Sequence, residues 1–320
     1  MSSTKNITSS VATPKVARLI KTASNLFVVD LDGQILSLRA RKNAKETKQD
    51  ASKLAAHKRY AKEAKTAKIV AGDIVRIKEC ETGEYSIVEV EKRKNSLVRP
   101  QVANVDQIVI IVAPLPKPDF SLIDKLIINA TRQQIDIVLC LNKSDIDSGC
   151  AMASELDAQY KNVVAKTIKV SANLGDITLL KNILHGKLSV LAGQSAVGKS
   201  SLINALTKSE RQMTNSLSEK IGRGKNTTTR AEIIKLSDKT YIVDTPGFSM
   251  LDLHGVLNDE LDLYYNEYVA LSSGCKFRRC THTVEPDCAV KQAIDTGKLN
   301  KVRYDRYCQM QQEIKTKTKL

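Results

Sequence analysis

Gly193-Gln194-Ser195-Ala196-Val197-Gly198-Lys199-Ser200, continued by Ser201-Leu202-Ile203-Asn204-Ala205-Leu206, decides the fold of this 320-residue chain. A short apolar run, Leu188 to Ala192, precedes it, and an amphipathic helix pattern follows. A strand, a G-x-x-x-x-G-K-[ST] loop and a helix in that order predict a P-loop. The chemistry needs those residue types at that spacing. Backbone N–H groups of residues 194–201 and the positive end of the helix face a nucleotide's phosphates. Lys199 is placed to reach the β- and γ-phosphates, and the Ser200 hydroxyl to ligate Mg²⁺.

Upstream, apolar runs at Val105–Val112 and Ile135–Leu141 flank a helix pattern from Phe120 to about Gln133. Near-continuous apolar strands alternating with helices predict a parallel sheet covered on both faces. In such sheets ligands bind beyond the carboxyl ends of the strands. Asn142-Lys143-Ser144-Asp145 stands at one such end. This N-K-x-D order suits guanine. The Asp145 carboxylate can accept from N1–H and the 2-amino group, whereas adenine would leave it unpaired. Lys143 can lay its stem over the base, and Asn142 can tie its loop to the P-loop. A helix at about 150–160 and a strand at Val164–Val170 lead to Ser171-Ala172, small residues that let backbone N–H groups approach the guanine O6. A short helix, Gly175 to Leu184, precedes the P-loop strand.

Downstream, residues 207–230 are polar and end in Asn226-Thr227-Thr228-Thr229-Arg230. A threonine-bearing loop there suits a switch folding over Mg²⁺ and the γ-phosphate, with Thr227 or Thr228 on the metal. The strand Thr240–Asp244 delivers Asp244-Thr245-Pro246-Gly247. Asp244 can reach Mg²⁺ through water, and the Gly247 N–H can sense the γ-phosphate.

Ahead of this domain, residues 15–100 read as short strands broken by turns: Leu26–Asp30, Ile35–Leu38, Gly72–Ile77 and Tyr85–Val90, with Asp32-Gly33 as a turn. The pattern predicts a small β-barrel, with an OB-fold as the leading candidate. An insert at 39–68 holds 11 Lys/Arg against 3 Asp/Glu, lacks an apolar stripe, and reads as an extended loop suited to an RNA backbone. Net charge is +15 overall and +10 within residues 1–100 alone (21 Lys/Arg, 11 Asp/Glu), which points to a polyanionic partner met by this domain. Residues 1–14 read as a disordered tail.

No apolar run approaches the roughly 18 residues of a membrane span, and the first residues carry no apolar signal core, so a cytosolic location is expected. Seven cysteines argue against a disulfide framework. Cys80, Cys140, Cys150 and Cys308 are isolated and read as packing residues or inert thiols. The others form Cys275-x4-Cys280-x-His282-x5-Cys288, four donors that can close a tetrahedral Cys₃His zinc site. With few apolar residues around it, metal binding is expected to supply much of this segment's folding free energy.

The guanine motifs come in an unusual order, with N-K-S-D and S-A ahead of the P-loop, threonine switch and D-T-P-G. In this order, with a barrel before and a Cys/His cluster behind, the chain resembles the ribosome small-subunit-dependent GTPase A (RsgA) family over residues 15–310. The resemblance implies a multi-domain architecture: an OB-like barrel (15–100), a circularly permuted α/β P-loop GTPase domain (101–252) and a zinc-binding C-terminal domain with helices (253–320). It also implies a monomeric GTP hydrolase that binds GTP and GDP, acts in late maturation of the small ribosomal subunit, binds its rRNA and is activated by it. The switch following Gly247 leads directly into the C-terminal element.

The chain departs from the family at two places. Asn226 stands where the family commonly has a histidine, and it can orient a water but cannot titrate. Ala196 stands where the family usually has glycine, which places a Cβ near the phosphates. Phe248 follows Gly247 where Ras-like proteins place a water-orienting glutamine, so hydrolysis is expected to be slow until a partner completes the site. A nucleotide-gated RNA-binding module with negligible turnover, or a GTPase acting on another RNA, remain the alternatives.

Overall fold

The computed structural model describes residues 13–23, 26–39, 69–80, 83–146, 149–214, 232–244, 253 and 255–317. The expectations placed on the tail before residue 13, on the insert beyond Arg39, on Asn226, Thr227 and Thr228, and on Gly247 lie outside the described residues.

The chain divides into two compact units, the first reaching Asn104 and also including residues 232–234, the second holding the other described residues from Val105 onward. In the first unit, β1 (Lys15–Ala23), β2 (Leu26–Leu31), β3 (Gln34–Arg39), β4 (Ile74–Glu79) and β5 (Tyr85–Val90) pair antiparallel in the order β3-β2-β1-β4-β5. The outer strands β3 and β5 approach each other, the closure expected of an OB-like barrel. Asp32 and Gly33 both have positive φ, 47° and 98°, the pairing a two-residue hairpin turn needs. The Asp30 carboxylate accepts the Gly33 N–H. Alternate residues of the strands, including Leu19, Val29, Val75 and Ile77, fill the interior. A register shift between Leu19 and Lys21 bends β1.

The strand expected from Gly72 begins at Ile74 instead. Gly72 has φ +88°, and a Cβ there would meet the Ala103 carbonyl oxygen at 2.0 Å. Asp73 turns inward, accepts the Val70 N–H at 2.9 Å, and is paired with the Arg93 guanidinium at 2.6 Å. Two short strands, β6 (Ser96–Leu97) and β7 (Val102–Ala103), finish the unit.

The second unit carries a six-stranded sheet. Its elements are β8 (Gln107–Val112), α1 (Phe120–Arg132), β9 (Asp136–Leu141), α2 (Gly149–Tyr160), β10 (Lys166–Lys169), α3 (Thr178–Leu184), β11 (Leu188–Ala192), α4 (Lys199–Thr214), β12 (Glu232–Ser237) and β13 (Thr240–Asp244). The strand order is β10-β9-β8-β11-β13-β12. The first five strands run parallel, and the two-residue turn between β12 and β13 makes the edge antiparallel. Strands β8 and β11 are buried at every residue, as a sheet covered on both faces requires. Helix α3 begins three residues later than its pattern indicated, because Ser171 bridges Asp176 and closes a turn first.

Beyond β13 come a 3₁₀ turn at Leu261–Tyr264, α5 (Asn266–Val269), a second 3₁₀ turn at Ser272–Gly274, α6 (Ala289–Asp295) and α7 (Lys301–Lys317). Their core is rich in tyrosine: Tyr265, Tyr268, Tyr304 and Tyr307 are buried with Leu261, Val290 and Met310, and Ile128 of α1 joins them. The segment therefore has an apolar core of its own around the cysteines, which its thin aliphatic content hid. Cys140 is buried, and that burial pushes its thiol up to about 12, whereas Cys150 is exposed, which leaves it the second of the two readings, a free thiol. Among the described residues no helix is long and apolar enough to cross a membrane.

Candidate nucleotide and metal sites

Parallel pairing brings the carboxyl ends of β9, β10, β11 and β13 to one edge of the sheet, and each end carries one of the motifs. Asn142 follows β9, Ser171 follows β10, Gly193 follows β11, and Asp244 ends β13 opposite Leu191.

Asn142 is the crosspiece of this edge. Buried to 1% exposure, it donates from Nδ2 to the Val197 carbonyl at 2.9 Å and accepts the Ala172 N–H on Oδ1 at 3.2 Å. The P-loop and the Ser-Ala loop are thus tied to one side chain. Gly198 makes room for it: with φ +94°, a Cβ there would stand 2.3 Å from Asn142 Nδ2. Gly193 permits the other close approach, since its Cβ would lie 2.3 Å from the Ile111 carbonyl oxygen. Ala196 adopts φ +63° without being glycine, a conformation a Cβ disfavours.

Asp145 is exposed, and one carboxylate oxygen accepts the Ser171 hydroxyl at 2.5 Å. Ser144 donates its hydroxyl to the Val170 carbonyl at 2.9 Å, which fastens the tetrad to the end of β10. Lys143, at φ +57°, donates its ammonium to the carbonyls of Leu115 and Ala196, both at 2.9 Å, so its stem spans from the tetrad to the P-loop.

In the P-loop, Lys199 donates to the carbonyls of Gly193 at 2.6 Å and Gln194 at 2.8 Å. Partial burial lowers its pKa, with the Asp244 carboxylate pulling the other way. Ser195, Ser200 and Ser201 are exposed on the loop and the first turn of α4, where a phosphate-bearing ligand can reach them. Gln194 has a role that the motif alone hides. Its amide accepts the Asp119 N–H at 2.9 Å and donates to the Lys117 carbonyl at 3.1 Å, bracing the P-loop against the start of α1. A variable motif position carries no signal for such a contact.

In the C-terminal segment, Cys275, Cys280, His282 and Cys288 place their ligand atoms within 4.8 Å of one another. The Cys275 and Cys288 sulfurs are 3.9 Å apart, close to the ~3.8 Å edge of a tetrahedron with metal–sulfur bonds of about 2.3 Å. The four residues fit a metal ion. Their loop is held from outside as well. Tyr304 donates its hydroxyl to the His282 carbonyl at 2.7 Å, and Tyr307 to the Thr281 carbonyl at 2.6 Å. Glu285 accepts the N–H groups of Thr281 and Thr283 and the Thr281 hydroxyl. Burial pushes its carboxyl up, but those hydrogen bonds outweigh it and hold the group at about 2.

Comparison with known proteins identifies the family. The family description "RsgA GTPase" matches residues 90–254. A protein of Caldanaerobacter subterraneus subsp. tengcongensis, "Small ribosomal subunit biogenesis GTPase RsgA", is 39% identical over 78% of this chain and 85% of its own length. One of the same name from Thermotoga petrophila is 38% identical over 77% and 84%. The crystal structure of YjeQ from Thermotoga maritima superposes with a TM-score of 0.75, at 31% identity over 94% of this chain and 99% of that one. YloQ, described as a circularly permuted GTPase, gives 0.74 at 26% identity over 97% and 98%. With a family match over residues 90–254 and relatives near 39% identical over more than three quarters of the chain, this chain belongs to the RsgA GTPase family.

Proposed function

We propose that this chain is a GTP hydrolase acting as a nucleotide switch in late maturation of the small ribosomal subunit, binding rRNA and activated by the subunit. The observation that carries the guanine half is the Asp145 carboxylate, exposed but aimed by Ser171, beside a P-loop that Asn142 locks to the same edge. The subunit half rests on the printed names of the relatives.

In this reading Asp145 selects guanine, and Ser171 and Ala172 border its O6. Lys199 leaves the Gly193 and Gln194 carbonyls for the β- and γ-phosphates. Mg²⁺ bound with GTP offsets the phosphate charge. Ser200, Asp244 and Thr228 or Thr227 would hold it. Gly247 senses the γ-phosphate and Asn226 orients the attacking water. The cysteines and His282 hold one structural Zn²⁺, since three thiolates and an imidazole favour that ion. Residues 15–100 and the basic insert meet RNA, residues 101–252 form the switch, and residues 253–320 carry the zinc. The protein works as a cytoplasmic monomer.

GTP hydrolysis by the purified protein, with and without small ribosomal subunits and with Lys199→Ala as the blank, tests the proposal. Stimulation by small and not by large subunits is expected. Nucleotide-dependent RNA binding without stimulation would favour a gated binding module instead, with Asn226 and Phe248 as the reason.

A further inference from the structure

The two ends of the His282 imidazole have different surroundings. Nδ1 lies among the sulfurs, 3.6 Å from Cys275 Sγ and 3.3 Å from Cys288 Sγ. Nε2 points away from them, is buried, and makes no hydrogen bond among the described residues. The Asp262 carboxylate stands 3.9 Å from Nε2. A neutral imidazole carries one N–H. If Nδ1 gives its lone pair to a metal, the proton sits on Nε2, and a buried N–H needs an acceptor.

The other neighbours do not supply one. Tyr268 meets the ring edge-on, 5.9 Å between centroids, and the Tyr304 hydroxyl is engaged by the His282 carbonyl. Asp262 belongs to the 3₁₀ turn Leu261–Tyr264, anchored by the fully buried Leu261, so its backbone is fixed while its side chain keeps 18% exposure and room to rotate. Closing the gap to a hydrogen bond takes a shift of about 1 Å.

We propose that Asp262 is the positioning residue of the metal site. Its carboxylate accepts the His282 Nε2–H and holds the ring in the tautomer that presents Nδ1 to the ion, as outer carboxylates do for ligating histidines. The inference rests on the zinc reading above and adds to it an acid outside the ligand loop, thirteen positions before Cys275.

The test uses the full chain loaded with Zn²⁺, as wild type, Asp262→Ala, Asp262→Asn and, as control, Asp259→Ala, whose carboxylate is exposed on the neighbouring turn. Metal content comes first: a wild-type protein without stoichiometric zinc would overturn the metal reading and this inference together. With zinc present, competition against a chelator should show affinity about 10–100-fold weaker in Asp262→Ala, a smaller loss in Asp262→Asn, whose amide oxygen still accepts, and no change in Asp259→Ala. ¹⁵N spectra of the histidine-labelled wild type should show Nδ1 on the metal and a slowly exchanging Nε2–H, with exchange accelerated in Asp262→Ala. Wild-type zinc retention by Asp262→Ala, or a spectrum with Nε2 on the metal, overturns the proposal while leaving the zinc site standing.

Discussion

Asp124 of α1 is fully buried, and Arg306 of α7, 182 residues later, donates to its Oδ2 at 2.5 Å. Arg303 takes Oδ1 at 3.1 Å and also pairs with Glu267, so two guanidiniums face two carboxylates in one neutral cluster. Both arginines lie over aromatic rings, Arg303 4.6 Å from the Tyr265 centroid and Arg306 5.3 Å from that of Phe120. The cluster fastens the last helix to the helix that Gln194 braces against the P-loop. Removing one member strands a buried charge. Asp124→Ala, which leaves both arginines short of an anion, should cost about 3–5 kcal/mol in urea unfolding. Arg306→Ala should cost less, since Arg303 still contacts Asp124 and water can enter the partly exposed place that Arg306 leaves. Equal losses would mean that the acid does not bridge the two.

Two P-loop residues two positions apart should respond differently to a change at Cβ. Gly198→Ala drives a Cβ to 2.3 Å from Asn142 Nδ2 at a φ of +94° and breaks the Asn142 crosspiece, so nucleotide binding should collapse. Ala196 already carries a Cβ at φ +63°, and Ala196→Gly removes a backbone cost of roughly 1–2 kcal/mol, less the greater freedom of glycine in the unfolded chain. Thermal unfolding should show Ala196→Gly unchanged or slightly raised. A clear drop would mean that the Ala196 Cβ makes a contact worth more than its strain.

The guanine assignment stands on Asp145 and its partner. Asp145→Asn should weaken GTP and favour xanthosine triphosphate, because an amide can donate to the 2-oxo group where a carboxylate cannot. Ser171→Ala should weaken both nucleotides about equally, since it frees the carboxylate without changing its character. Competition binding with the two nucleotides separates these effects, and an unmoved preference in Asp145→Asn would refute the assignment.

Lys199 ties the P-loop to pH. Burial lowers its pKa in the folded chain below the ordinary 10.5, so between the lowered value and 10.5 the unfolded chain binds more protons than the folded one. Stability from this residue must therefore rise with pH through that window. Urea unfolding in the alkaline range should give a more positive slope for the wild type than for Lys199→Met. Parallel slopes would mean that the lysine is not desolvated.

Much of the site was legible because its residues act close to where they stand in the chain. The apolar runs of β8, β9, β11 and β13 mark the sheet, and N-K-S-D, the P-loop and Asp244 fall at their ends because a parallel sheet sends its strand ends to one edge. What was hidden depends on distance in sequence. Nothing near Asp124 in the chain marks it as buried, because its partner Arg303 is 179 residues away. Nothing local marks the side chain of Gln194 or that of Asp262, because their partners Asp119 and His282 stand far off in the chain. Tyrosine hid the C-terminal core, since Tyr265, Tyr268 and Tyr307 bury large rings while counting as polar in a pattern built on aliphatics.

That tyrosine core determines what loss of the metal should do. The chain has no tryptophan and 9 tyrosines, of which Tyr268 meets His282 edge-on while Tyr304 and Tyr307 hold the ligand loop by its carbonyls. A strong chelator should therefore change the near-ultraviolet circular dichroism of tyrosine sharply. Tyr265 also stacks on Tyr268 at 4.8 Å between centroids and meets Tyr307 edge-on at 5.0 Å, and the three share their cluster with Ile128 of α1. The buried contacts that fold α7 onto the sheet domain survive when the loop opens, so far-ultraviolet signal and guanine nucleotide binding should persist. Metal loss is then a local opening of residues 275–288. Loss of helical signal in step with metal release would show instead that the ion holds up the whole C-terminal segment.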